Sequence, residues 1–345
     1  MNTENMLHTV LEQLKAEDMD AETALLCITD EQIRKLGPSP ERTKFLKLAD
    51  KFRKTRIFAR AENAAEVALA RENGADGISL FPLEDEKVLK DLKNVFAALG
   101  KLPVSFVLPG GKGALRGVRA NICQPGIAAQ AMRSVLSAMA DFPKTKVQFI
   151  VPGVCDVCEI AHQKMLLEQV AAEAGLSDLA EKCRFGALID NPRGAYLAET
   201  LALEAASFIF EPQRLTELMF GVTKEESVHF MECYLSKNIL DADPFESMDM
   251  DGVALMIYRA AMEGKSVKAR LTAGVTGDPD LASYAHEAAL DQLIVPADDV
   301  AAARLAAAQA VILYGSCDCG CEDHDHSHHH HHHHHDHEHC HCHEK

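Results

Sequence analysis

KVQFIVPGVCDVCEIAHQKMLLEQVAAEAGLSDLAEKCRFGALID, residues 146–190, holds the pattern on which the reading of the fold turns. A short apolar run, Lys146–Val151, gives way to a long helical stretch, and a second short run, Phe185–Asp190, closes the unit. Two such runs separated by a helix read as parallel strands, because parallel neighbours need a crossover of a dozen or more residues. Working outward, the unit recurs. Towards the N-terminus the runs are Arg56–Arg60, Gly77–Phe81 and Pro103–Leu108; towards the C-terminus they are Ser207–Glu211, Leu271–Val275 and Gln292–Val295. Eight strand candidates alternating with helices over about 250 residues is what a (β/α)8 barrel requires. The expected fold class is therefore α/β, a TIM barrel spanning residues 56–314, with an open doubly wound sheet as the alternative.

The flanks read differently. Residues 1–55 are expected to be a helical appendage: Leu7, Val10, Leu11 and Leu14 recur at helical spacing, and Asp20 and Thr29 can cap later segments before Pro38 and Pro40 interrupt. The last barrel helix, Asp298 to about Tyr314, is Ala-rich and ends at Gly315. Residues 315–345 are a low-complexity His/Cys tail that cannot form a core. Of the 345 residues 47% are hydrophobic, enough for a sizeable core, and 52 Asp and Glu against 35 Lys and Arg give a net charge of −17. Such a field repels nucleic acid and acidic membrane surfaces. Met1–Leu14 lacks the basic start and apolar run of a signal peptide, and no segment approaches the roughly 20 apolar residues of a bilayer span. The expected compartment is the cytoplasm, with neither nucleic acid nor membrane as a partner.

Several segments resemble the C-terminal, PEP/pyruvate-binding barrel of pyruvate phosphate dikinase and its relatives among the PEP-utilising enzymes. AEVALARENGADGISL (Ala65–Leu80) is similar to that family's second strand and the helix before it, and GALIDNPRGA (Gly186–Ala195) to its GxMIExPRAA strand. LTELMFGVTKEESVHFMECYLSKNILDADPFESMDMDG (Leu215–Gly252) follows the dikinase pattern, and AARLAAAQA (Ala302–Ala310) its closing helix. Near the N-terminus, MDAETALLCITDEQIRKL (Met19–Leu36) resembles the segment that precedes the family's phosphohistidine swivelling domain. The barrel follows almost at once, so the resemblance implies a barrel without its phosphate carrier, unable to complete the relay alone. It also implies a possible homodimer.

The resemblance further implies where the reactive groups should be, at the C-terminal ends of the strands. Most of those positions are rewritten. The family's PEP-phosphate Arg falls at Pro82, a second Arg at Val107, and a first-strand Arg near Phe58, with Arg56 and Arg60 close by. LRGVR keeps Arg116 and Arg119 of the family's HRGxR, and a guanidinium is a natural phosphate or carboxylate clamp, so these two are the candidate substrate-binding residues for a pyruvate- or PEP-like anion. The alternative is that they are salt-bridged structural residues. The two Mg2+-holding carboxylates correspond to Asp190 and Arg214, the neighbouring Asn to Gln213, and the proton-donating Cys to Thr276. A unit positive charge about 4 Å from a divalent ion would repel it by roughly 8 kcal/mol at an effective dielectric near 20. A threonine hydroxyl is too weak an acid to replace a tuned thiol. The reading is a barrel that has lost phosphotransfer and does not bind Mg2+ in the family's way. An alternative stays open, in which Asp190, Glu211 and Asp278 with Arg116 form a rearranged metal and α-keto acid site of lyase or aldolase type. Against it, Asp190 could merely cap a helix and Glu211 could pair with Arg214.

Cys155 and Cys158 make a CxxC motif after the fourth strand, read as two reduced thiols, since no second pair lies at zinc-ribbon spacing. Cys27, Cys123, Cys183 and Cys233 stand singly and are expected in the core; His162, His229 and His286 are read as structural or surface residues. The tail holds 14 of the 18 histidines and 5 of the 11 cysteines. Imidazole and thiolate are the ligands late first-row metals prefer, so Cys317, Cys319, Cys321, His324, His326, His328, His329, His330, His337, His339, Cys340, His341, Cys342 and His343 are candidate ligands for Ni, Zn or Cu. Interleaved Asp, Glu and Cys distinguish the segment from a plain histidine tag.

Overall fold

The computed structural model describes residues 3–111, 113 and 115–315. Eight strands close into one barrel in the order β1 to β8: β1 Arg56–Arg60, β2 Gly77–Pro82, β3 Val104–Val107, β4 Val147–Val151, β5 Arg184–Ile189, β6 Ser207–Phe210, β7 Thr272–Thr276 and β8 Gln292–Pro296. Every neighbouring pair is parallel, including β8 with β1, where Arg56 lies opposite Gln292 and Arg60 opposite Pro296. The closed barrel excludes the open doubly wound sheet, and the strands fall within one or two residues of those expected.

Strand alternation sends every second side chain into the barrel. Phe58, Leu80, Ile150, Ile209 and Ile294, with Val107 and Leu188 against them, fill its middle as one cluster. Leu80 reaches it at a positive φ of 57°, where the β2–β3 register slips between Ile78 and Phe81, a bulge that re-aims one side chain. Towards the N-terminal ends the lining turns polar: Gln148 donates to Ser207 Oγ at 2.7 Å, and Ser105 donates to Gln148 Oε1 at 3.3 Å. Gly186 completes this layer because a Cβ there would stand 2.3 Å from Ser207 Oγ. Outside the sheet the opposite strand faces pack against the surrounding helices, as where Phe106 meets Phe81 and Phe96.

The N-terminal helices Thr3–Lys15, Ala21–Leu26, Asp30–Lys35 and Pro40–Ala49 bury Leu7, Leu11, Leu25, Ile33 and Phe45, with Ile28 from the turn between the second and third, against Ala301, Leu305 and Ala308 of the last helix, Val300–Tyr314. That helix is buried on two sides, by the barrel and by these helices, which is why small alanines dominate it. Asp20 and Thr29 cap as expected, accepting from the Thr23 and Gln32 amides at 2.7 and 3.2 Å. Arg304 fastens the seam: it is 7% exposed and donates to both Asp50 carboxylate oxygens, at 3.0 and 2.6 Å, and to Asn73 O at 2.8 Å.

Between β6 and β7 the chain makes a helical excursion, in which Phe245 packs on Phe220 and Asp249 caps the turn at Gly252 and Val253. A Cβ on Gly252 would meet Asp249 Oδ2 at 2.4 Å. The Asp and Gly that close the quoted dikinase-like segment are thus a helix start. Cys233 lies in this excursion and is exposed, as is Cys123 at the end of Val118–Cys123, so these two are not core residues; each sits on a short helix that buries one face and leaves the other open. Cys27 and Cys183 are partly buried. Among the described residues no helix is long and apolar enough to cross a membrane.

Candidate functional site at the barrel mouth

The strand ends bring Arg60, Asp190, Glu211 and Thr276 to the C-terminal mouth, whereas Arg56 begins β1 at the far end, over the Phe58 ring, and Phe58 is in the barrel's interior. Arg60 is therefore the guanidinium that β1 contributes to the mouth. Its Nη2 donates to Glu211 Oε1 at 2.7 Å, a bond from β1 to the end of β6, across strands that are not neighbours. Glu211 thus pairs with Arg60 and not with Arg214. Arg214, in the first turn of the helix Pro212–Phe220, instead bonds Glu217 at 2.7 Å. Gln213 beside it is exposed.

Asp190 follows β5 directly. The cap of the next helix, Pro192–Tyr196, is Asn191, whose side-chain oxygen accepts from the Gly194 amide at 2.9 Å. Asp190 is thus not a cap. Asn191 Nδ2 donates to Asp190 Oδ1 and to Val154 O, both at 3.1 Å. Burial pushes the Asp190 carboxyl above the ordinary carboxylate range, and this outweighs the opposing pull of Asn191 and of the Arg214 and Arg119 guanidinia. Three groups that the sequence places far apart, Asp190, Arg214 and Arg119, therefore share one electrostatic environment.

Arg119 is positioned by a close approach of two loops. Gly117 has φ +65°, and a Cβ there would stand 3.1 Å from Pro152 O, while the Val118 amide donates to that same carbonyl at 2.7 Å. This docks the start of Val118–Cys123 on the segment after β4. Arg119 Nη2 then lies 3.1 Å from Cys155 Sγ, whose thiol also faces Asn191 Oδ1 at 3.5 Å. Arg116 is exposed, and neither arginine enters an ion pair with a carboxylate among the described residues. Thr276 donates to Phe210 O at 3.3 Å, which ties its hydroxyl to the neighbouring strand. A cleft of about 550 Å³ opens beside this loop, lined by Glu84, Pro109, Leu115, Asn121 and Ile127.

The expected grouping of Asp190, Glu211 and Asp278 is not assembled: among the described residues no cluster of three or more His, Cys, Asp or Glu is placed to hold a metal ion. Cys155 and Cys158 are free thiols, Cys158 exposed with its thiol pushed up by Asp156. His162 and His229 are exposed, and His286 bonds Gly315 O at 3.1 Å. The tail ligands, from Cys317 to His343, lie outside the described residues. The sequence offers Arg60 only as one of two arginines beside the family's first-strand Arg position, and Cys155 only as half of a CxxC pair; the strand end and the loop contact bring both to the mouth.

Comparison with known proteins agrees with this barrel. Residues 113–312, more than half of the chain, match the family described as PEP-utilising enzyme, PEP-binding domain. The chloroplastic pyruvate, phosphate dikinase of Mesembryanthemum crystallinum is 28% identical over 77% of this chain and 37% of its own length. The enzyme of that name from Rhizobium meliloti is 33% identical over 57% of this chain and 23% of its own. The chain thus spans between about a quarter and little more than a third of the length of these curated relatives. Among solved structures, a citrate lyase from Burkholderia xenovorans shares the fold, with a TM-score of 0.51 at 12% identity over 73% of this chain and 76% of that one.

Proposed function

The chain belongs to the family of PEP-utilising enzymes by its PEP-binding domain, and from that premise we propose that its mouth holds a pyruvate- or PEP-like anion without transferring phosphate. One observation carries the reading: Arg119, which has no carboxylate partner among the described residues, is held at the mouth with its Nη2 3.1 Å from Cys155 Sγ, and that thiol faces Asn191, which donates to Asp190. Where the resemblance implies a cation between two carboxylates, this chain has Asp190 and, in place of the second, Arg214, which bonds Glu217. Glu211, the other nearby carboxylate, is engaged by Arg60. The residues present do not fit Mg2+, because one of the two carboxylate positions is a guanidinium and, among the described residues, no three acidic, His or Cys side chains are grouped to replace it. They suit an anion, since guanidinium donors match carboxylate and phosphate oxygens.

The 315–345 tail adds a second capacity, binding of Ni, Zn or Cu for storage, buffering or delivery, which rests on its ligand composition alone. In this reading the chain works in the cytoplasm and pairs as a homodimer.

The test is calorimetric titration with oxalate, pyruvate and PEP, with and without Mg2+, beside an assay for PEP turnover. Binding of oxalate that needs no metal, with no turnover, is the expected result. PEP turnover, or no binding of any of the three, would overturn the reading. A second reading, a metal-dependent lyase or aldolase acting on an α-keto acid, is favoured by the raised protonation range of Asp190, which suits proton transfer. Oxalate binding that requires Mg2+ would select it. For the tail, competition against a colorimetric chelator by the whole chain and by a chain ended at Tyr314 reads the stoichiometry; equal metal uptake by both would sink that part.

A further inference from the structure

We propose that the N-terminal face of the barrel, opposite the mouth, carries a second site that binds a small organic dianion, a phosphate monoester or a dicarboxylate. A cleft of about 590 Å³ opens there between the helix Val157–Ala174, the short helix Ser177–Ala180 and the segments entering β5, β6 and β7. Its size falls within the range of ordinary small-molecule sites.

Four cations converge on the cleft from three separate elements: Lys164 from the long helix, Arg184 from the first position of β5, and Lys268 and Arg270 from the segment before β7. Among the described residues only Lys164 has its charge answered by a carboxylate, Glu204 at 2.5 Å. Lys268 donates to Ala205 O at 2.8 Å, which fixes the ammonium without neutralising it. Neither Arg184 nor Arg270 forms an ion pair or a side-chain hydrogen bond among the described residues. Glu168 and Glu181 also border the cleft, so the lining carries one net positive charge on a chain whose total is −17.

The cations feel one another. The Lys268 ammonium is held below its ordinary range by burial first, then by Lys164 and Arg184, against the pull of Glu204. Gathering like charges in a half-enclosed space opposes folding, and the N-terminal face of such barrels ordinarily serves stability. A bound dianion would answer the crowding, with guanidinium forks for its oxygens, while Leu167, Ala171, Ala180 and Phe185 offer apolar lining for a small carbon body.

This site does not rest on the reading of the mouth. The whole chain, freed of metal with EDTA, is titrated with inorganic phosphate and separately with succinate, to about 10 mM, followed by calorimetry and by the melting temperature. The expected result is saturable binding of at least one of them, weakened roughly tenfold by Arg184→Gln and by Lys268→Gln and unchanged by Lys90→Gln, a surface lysine outside both clefts. Arg184 is exposed and its variant serves if Lys268→Gln unfolds. Phosphate alone points to the monoester and succinate alone to the dicarboxylate. No binding of either, or binding lost in Arg119→Met and kept in Arg184→Gln, would overturn the proposal.

Discussion

Replacing Arg304 with methionine removes the ionic fastening between the last helix and the N-terminal helices while keeping most of the side-chain volume. Arg304 is 7% exposed and donates two bonds to Asp50 and one to Asn73 O. Breaking a fully buried pair by removing one partner costs about 3–5 kcal/mol. Here the cost is smaller, because the Asp50 side chain is 32% exposed and keeps Arg53 at 2.7 Å. We expect about 2–3 kcal/mol, and about 2 °C of melting temperature per kcal/mol in a chain of this size, hence a fall of about 4–6 °C. Urea unfolding at pH 7 measures it. Asp50→Asn supplies the cycle: if the two groups act through each other, the double variant is less destabilised than the sum of the singles. The pH dependence follows in sign. The Asp50 carboxyl, though burial pushes it up, is held below its ordinary range by Arg304 and Arg53, so its contribution is present above the unfolded-state pKa near 3.8 and lost as pH falls through the lower folded value. A loss under 0.5 kcal/mol, or strict additivity, would refute the reasoning.

Other consequences can be checked separately. Gly186→Ala places a methyl 2.3 Å from Ser207 Oγ and should cost about 1–3 kcal/mol by overpacking, part of it recovered in Gly186→Ala with Ser207→Ala; thermal melts of the three variants decide. Arg119→Met should weaken oxalate about 10- to 100-fold and Arg116→Met less than fivefold, because both are exposed but only Arg119 has a side-chain contact, to Cys155, that holds it at the mouth among the described residues; the reverse order in calorimetry would count against the mouth as drawn. Asp190→Asn should raise the melting temperature at pH 7. The folded carboxyl titrates above its unfolded value, so ionising it costs stability above the folded pKa, and the gain should vanish as pH falls through that value towards 3.8; a gain that persists at lower pH would refute it.

What the sequence determined by itself is the barrel. Its runs and their helical spacers are local patterns set by side-chain periodicity, so β1 through β8 fall where alternation and length put them, and Asp20 and Thr29 cap because the bonds span three residues. The motif around Gly186–Ala195 and Leu215–Gly252 likewise carried the family from the chain alone. The partners at the mouth were decided only by tertiary structure. Arg60 and Glu211 are 151 residues apart and meet because eight strands close with a given register. Arg119 finds Cys155 because Gly117 lets one loop lie against another. Asp190 keeps its carboxylate clear of the helix cap because Asn191 takes that duty, a choice made by one backbone turn. Ion pairing of exposed groups is worth little and is weakly specified by sequence, so closure geometry, not residue type, selects which charges meet.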